Sequence, residues 1–85
     1  MLKMKNLELC FDAAAKESAN YVGVLVQINN NESKELIVNK RPSFEEKLAY
    51  YKNAYDNDLN HKHAVGIKIV GFCQADSLGE LEQLF

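Results

Sequence analysis

The sequence contains few of the residues that interrupt, cross-link or anchor a chain. Its 85 residues include no tryptophan, one proline, four glycines and two cysteines. The longest apolar run, Val22 to Val26, is far shorter than the roughly 20 residues that a membrane helix needs. Cys10 and Cys73 lie far apart and outside any CxxC or CxH pattern, which argues against a disulfide framework and a zinc signature. We therefore predict an intracellular protein with two reduced thiols and no membrane segment.

A surplus of charge of one sign is also lacking. The 10 Lys and Arg residues nearly balance 12 Asp and Glu residues, for a formal net charge of −2. This balance argues against a strongly basic nucleic-acid-binding protein and against a polyanionic mimic. The first residues lead into Asn6 and Glu8 rather than into an apolar signal region, so we expect a cytoplasmic protein. A chain of this length is expected to form a single domain, 1–85.

Hydrophobic periodicity predicts an α+β fold. A capping-box pattern, Ser43 with Glu46, starts the second helix, and another, Ser77 with Glu80, starts the last one. The residues 29–33, three of them asparagines, are expected to form a hairpin loop. The predicted elements are a helix at 6–19, strands at 21–28 and 34–39, a helix at 43–55, a strand at 65–73 and a helix at 77–85.

The connections predict a three-stranded mixed sheet in the order 2-1-3. A short loop makes the first two strands antiparallel, and a helical crossover lets the third strand run parallel to the second. The most apolar strand, 21–28, is expected at the centre, with helices packed on the sheet. The face toward the helices is predicted to carry Val22, Val24, Val26, Leu36, Val38, Val65, Ile67 and Ile69.

The opposite face of the predicted sheet is too apolar for plain exposure to water. Either the terminal helices cover it or a partner protein binds there. The strand 65–73, at the sheet edge, could also pair with its own copy in a homodimer, or the segment 78–85 could fold over that edge. The predicted protein interface consists of Tyr21, Leu25, Ile37, Lys68, Val70 and Phe72.

The residues that could carry chemistry form no recognisable site. Asp56, Asp58 and Asn60 imitate the opening of a calcium loop, but His61 replaces the required glycine and the closing glutamate is missing. His61 and His63 are two imidazoles without a third ligand, which favours a surface pair over a metal site. Neither cysteine is adjacent to a histidine, and no phosphate-binding glycine motif occurs. We predict no catalytic, cofactor-binding or metal-binding residue, and a protein that is not an enzyme.

A nucleic-acid site is the alternative that the basic residues allow. Lys40 and Arg41 end the second strand, whereas Lys62 precedes the third strand and Lys68 lies within it. In the predicted sheet Lys40 and Arg41 lie at the opposite end from Lys62, and acidic residues are interspersed, so no continuous basic stripe forms. Nucleic-acid binding through these four residues is therefore less favoured than protein binding.

Two stretches of the chain resemble known proteins. They are 39–56, NKRPSFEEKLAYYKNAYD, and 66–72, GIKIVGF. Here the sequence resembles small, mostly uncharacterised proteins of phages and prophages of Gram-positive bacteria. The order of helix, hairpin, helix and strand is also similar to small anti-CRISPR proteins, which inhibit RNA-guided nucleases. The resemblance implies a phage accessory protein in a bacterial host cell, although a net charge of −2 departs from the strongly acidic DNA mimics of that group.

The sequence therefore predicts a small α+β protein that acts by binding another protein, such as a phage or host machine. A nucleic-acid-binding protein and a self-assembling structural protein are the alternatives.

Overall fold

The computed structural model describes residues 2–28 and 33–84. The predicted hairpin residues 29–32, and Phe85 of the last predicted helix, lie outside this range. Within it, none of the helices combines the length and the apolar character that crossing a membrane requires. A 3-10 turn, Arg41–Ser43, joins the second strand to the second helix. The elements are α1 (Met4–Lys16), β1 (Tyr21–Gln27), β2 (Lys34–Lys40), α2 (Phe44–Ala54), β3 (Lys68–Ala75) and α3 (Leu78–Leu84).

The strands form one sheet in the order β2-β1-β3, which confirms the predicted order. β1 pairs antiparallel with both neighbours, so that Tyr21 lies opposite Lys40 of β2 and opposite Ala75 of β3. The predicted mixed sheet is therefore wrong, although β2 and β3 do run in the same direction. A mixed sheet needs two parallel strands side by side, and here β1 separates them.

α1 and α2 pack on one side of the sheet, which we call the helix face. The main hydrophobic core lies between these helices and the sheet. α1 contributes Leu7, Phe11 and Ala14 at helical spacing, as predicted. The rings of Phe11 and Phe44 meet edge to face, with centroids 5.5 Å apart. The buried members of this core are Met4, Leu7, Phe11, Ala14, Ala19, Val22, Val24, Val26, Phe44, Tyr51, Tyr55, Leu59 and Ile69.

The predicted orientation of β2 is wrong. Ile37 and Asn39 lie opposite core residues of β1 and point toward the helices, while Leu36 and Val38 point away from them. Because side chains alternate along a strand, a difference of one residue exchanges its two faces completely.

Asn39 explains this orientation. Its side chain is fully buried, and its Nδ2 donates a hydrogen bond of 2.9 Å to the carbonyl of Val22. Its Oδ1 accepts a hydrogen bond of 3.1 Å from the Tyr51 hydroxyl, while burial raises the pKa of Tyr51 to about 12. A buried amide with these partners stabilises β2 in the observed orientation, since the partners would be lost on the other face.

The residues before β3 form an ordered loop. β3 begins at Lys68, so the predicted strand residues 65–67 belong to this loop, and Val65 is 96% exposed. The Asp56 carboxylate accepts hydrogen bonds from the backbone N–H groups of Asp58 and Asn60, at 2.9 and 3.0 Å. The calcium-like spacing is thus explained by a local turn in which the carboxylate binds the backbone.

β3 also contains a β-bulge. Its pairing with β1 shifts between Leu25 and Val26, which leaves Val70 as an extra residue. Because of this extra residue, Ile69 and Phe72 both pack against the core, although strict alternation would place them on opposite faces.

The helix starts differ in part from the predicted capping boxes. Ser43 makes no side-chain cap hydrogen bond, so the first box is wrong, and α2 continues from the 3-10 turn instead. At α3, the Ser77 Oγ accepts a hydrogen bond of 3.2 Å from the N–H of Glu80. The Glu80 carboxylate, however, accepts its bond of 2.8 Å from the N–H of Asp76 rather than from Ser77. Only half of the second box is therefore present.

Candidate interaction surface

The side of the sheet that points away from α1 and α2 is the candidate interaction surface, which we call the open face. Alternation along each strand assigns its residues, and cross-strand pairing arranges them in rows. Each row runs from β2 through β1 to β3. The four rows are Lys34–Gln27–Lys68, Leu36–Leu25–Gly71, Val38–Gly23–Cys73 and Lys40–Tyr21–Ala75.

The centre of the open face is apolar. Val38 is 37% exposed, and Leu25 and Leu36 are half-buried, although none of the three belongs to the core on the helix face. We call these three residues the apolar patch. Gly71, beside Leu25, adds no side chain, so the patch lies mainly on β1 and β2.

Three lysines surround the apolar patch. Lys34 and Lys68 both lie opposite Gln27 at one end of the face, and Lys40 lies opposite Tyr21 at the other end. All three lysines are exposed, and none of the strand residues on this face is acidic. The strands therefore present an aliphatic centre in a basic frame.

Glu35, the only acidic residue of the three strands, faces the other way. It lies opposite Val26, a core residue of the helix face. Burial is the main cause that raises the pKa of Tyr55 on that side, and the charges of Tyr50 and Glu35 add to it. Because Glu35 lies on that side, no acidic side chain of the three strands lies on the open face.

α3 covers one end of the open face. It packs on β3, and its Leu81 is fully buried yet lies outside the core of the helix face. Ala75 and Gly23, both open-face residues, are buried as well. α3 itself leaves Leu78 and Leu84 exposed, at 51% and 60%. The terminal helix thus covers the Ala75 end of this face and leaves the apolar patch accessible.

The structure divides the predicted interface residues between two faces. Ile37 and Phe72 pack against the core, so the face predicted for them is wrong. The reasons are the buried Asn39, which orients β2, and the bulge in β3. Tyr21, Leu25 and Lys68 lie on the open face, and Val70 is half-buried at the bulge.

Three residues of the open face were missed in the sequence. Leu36 and Val38 were predicted to face the helices, and Lys34 was assigned no role. No local signal marks this orientation, because Asn39 stands on the predicted outward face, where a polar residue is ordinary. The orientation depends on a contact with another element, the hydrogen bond of 3.1 Å from the Tyr51 hydroxyl of α2 to Asn39.

The basic residues considered for nucleic acid do not form one site. The Arg41 guanidinium donates hydrogen bonds of 2.9 and 3.4 Å to two carbonyls in the last turn of α1. The Lys62 ammonium donates one of 3.4 Å to a carbonyl near the end of α2. Both side chains therefore satisfy helix-end carbonyls. Lys40 and Lys68 remain, and they lie at opposite ends of the open face.

The outer edge of β3 is partly occupied. The N–H of Ile69 donates a hydrogen bond of 2.9 Å to the carbonyl of Leu59, and Asn60 forms a bridge with Lys68. The beginning of the strand that was predicted to pair with its own copy is therefore already paired within the chain. Among residues 2–28 and 33–84, no strand pairs with the outer edge of β2.

The two histidines take part in the loop before β3. The Nδ1 of His61 accepts hydrogen bonds from the N–H groups of His63 and Ala64, at 3.0 and 3.1 Å. The His61 ring also meets Tyr55 edge to face, with centroids 5.0 Å apart. In the part of the chain that the structure describes, no group of three or more His, Cys, Asp or Glu residues is placed to hold a metal ion.

Both cysteines are free, and Cys10 is expected to react slowly. Burial raises the pKa of Cys10 to about 11, and the nearby Cys73 adds to this shift. At pH 8 its thiolate fraction is then about 100-fold below that of an ordinary thiol. We expect iodoacetamide to alkylate Cys10 of a Cys73→Ser variant at least about tenfold more slowly when folded than when unfolded in guanidinium chloride, because burial, the larger cause of the shift, remains. Equal rates in the two states would contradict the burial of Cys10.

Comparisons of the chain with protein-family models, curated proteins and solved structures give no match. The resemblance to phage and anti-CRISPR proteins stays a prediction.

Proposed function

We propose that this protein is a non-enzymatic binding protein that recognises another protein through its open face. The observation that carries the proposal is the apolar patch of Leu25, Leu36 and Val38 inside a frame of lysines. A sheet face that meets only water is normally polar, and a contiguous apolar patch marks an interaction site. An apolar centre with a polar rim is also the usual anatomy of a protein–protein interface.

Capture experiments with matched variants test this proposal. Val38→Glu places a charge in the apolar patch, whereas Leu9→Glu places one on α1, where Leu9 is 55% exposed. We expect a bacterial protein that is captured by the wild type to be reduced at least about tenfold with Val38→Glu, because a buried unpaired charge weakens an interface. Leu9→Glu should capture it normally.

Both variants should keep the circular dichroism spectrum of the wild type, since both residues are exposed. A partner that binds Val38→Glu as well as it binds the wild type would contradict the open face as the binding site.

The partner that we propose is a component of a phage or of its bacterial host, for example an RNA-guided nuclease. The resemblance of 39–56 and 66–72 to phage and prophage proteins supports this choice, as does the order of elements shared with anti-CRISPR proteins. Under this proposal the protein works in the cytoplasm of the host cell. Inhibition of a nuclease by the wild type, and not by Val38→Glu, would support it.

Single-stranded nucleic acid is the second candidate, and the lysine frame of the open face favours it. Tyr21, beside Lys40, could stack on one base. The aliphatic patch argues for protein instead, since bases stack on aromatic rings, and so does the net charge of −2. Retention of DNA or RNA that falls steeply with salt and is lost in Lys34→Glu would favour nucleic acid.

A further inference from the structure

The open face and α3 carry complementary surfaces, and we propose that they pair in a two-fold dimer of this chain. In this dimer, α3 of each copy lies on the apolar patch of the other. The inference rests on the proposed function, because both place a protein on the open face. Here that protein is a second copy of the chain.

The charges of the two surfaces are opposite. The apolar patch is framed by Lys34, Lys40 and Lys68, with no acidic strand residue beside them. α3 contains Glu80 and Glu82 and no basic residue. Surfaces of opposite sign attract each other on approach and select the partner and its register.

The apolar side chains of the two surfaces are also matched. α3 exposes Leu78 and Leu84 on either side of the buried Leu81. These leucines have no place in the main core, just as Leu36 and Val38 on the strands have none. Contact between the two sets would remove apolar surface from water on both copies.

The positions of the two surfaces fit a two-fold axis. α3 covers the Ala75 end of the open face, and the apolar patch lies beside it on β1 and β2. The open face therefore carries the acidic α3 at the corner of Ala75 and a lysine at each of its other three corners. In a two-fold dimer, the α3 corner of each copy lies on the lysine-framed patch of the other, which is the self-complementarity that a two-fold interface requires.

The patch is small, so the dimer is expected to be weak and to depend on concentration. Sedimentation velocity over a wide range of concentrations should show a rise from the monomer mass of 9.6 kDa toward twice that value. The rise should be reduced by salt, because charged pairs at an interface rim are screened.

A charge-swap pair distinguishes this dimer from any other. Lys34→Glu with Lys68→Glu places two glutamates beside the patch, and Glu82→Lys places a lysine on α3. Each variant alone should dimerise at least about tenfold more weakly than the wild type, since like charges would meet. Mixed together, the two variants should form a heterodimer, because both contacts are then attractive. Leu9→Glu, on the far side of the molecule, should dimerise like the wild type.

A protein that stays monomeric at all concentrations would overturn the inference. A dimer whose dissociation constant is unchanged by both charge swaps would also overturn it. The second result would indicate strand pairing at a sheet edge instead. The proposed function fails separately: it fails if capture from a lysate does not depend on Val38, whatever the oligomeric state.

Discussion

Phe11→Ala is expected to lower the free energy of unfolding by about 3–5 kcal/mol, because it removes a large buried ring and leaves a cavity. Phe11 is 2% exposed, and its ring centroid lies 5.5 Å from that of Phe44 and 6.1 Å from that of Tyr51. A domain of this size is stable by about 5–15 kcal/mol, so the variant is expected to be close to unfolding. Urea denaturation followed by circular dichroism measures the change.

Leu9→Ala is the matched control for this prediction. Leu9 lies on the same helix, two residues away, and is exposed. Its truncation should change the free energy of unfolding by about 0.5 kcal/mol or less. If the two variants were equally stable, α1 would not pack on the sheet through the face described.

Asn39→Ala is expected to cause the second largest decrease in the free energy of unfolding. The substitution leaves the Tyr51 hydroxyl without its buried acceptor and the Val22 carbonyl without its side-chain donor. Each buried polar group left without a partner costs about 1–3 kcal/mol. Thermal and urea denaturation should show this loss, and Tyr50→Phe, at an exposed tyrosine of the same helix, should be nearly neutral.

The Tyr51→Phe variant tests the same contact from the other side. A double-mutant cycle with Asn39→Ala should give a coupling energy of about 0.5–3 kcal/mol, because the two side chains share one hydrogen bond. If the two losses of stability were additive in the double variant, the hydrogen bond between Asn39 and Tyr51 would contribute nothing to the free energy of unfolding.

Tyr51 also predicts how stability depends on pH. Its pKa is raised in the folded protein from 10.0 to about 12, so the folded state holds this proton more tightly than the unfolded state. The contribution of this proton to the free energy of unfolding is complete below pH 10 and is lost as the pH rises through 12. The alkaline loss of stability should therefore be smaller in Tyr51→Phe.

The features predicted correctly from the sequence are those with strong local patterns. The alternation of Val22, Val24 and Val26 places β1 at the centre, and the spacing of Leu7 and Phe11 identifies the buried side of α1. The order β2-β1-β3 followed from placing the most apolar strand, β1, at the centre. These features depend on neighbours in the sequence, which is why periodicity detects them.

The features predicted wrongly depend on contacts between distant residues. β2 carries apolar residues on both faces, Leu36 and Val38 on one and Ile37 on the other, so its own pattern does not choose between them. The choice depends on Tyr51, which comes from another element. The bulge at Val70 likewise arises from pairing with β1.

The hydrogen bonds of Asn39 have a consequence for the surface on the other side of the sheet. A strand with apolar residues on both faces can pack on the core in either of two orientations. The buried side-chain amide of Asn39 stabilises one of these orientations of β2. An apolar residue at position 39 would weaken that selection and allow Ile37 to face outward in place of Leu36 and Val38. The composition of the open face is therefore decided by a residue that is itself fully buried.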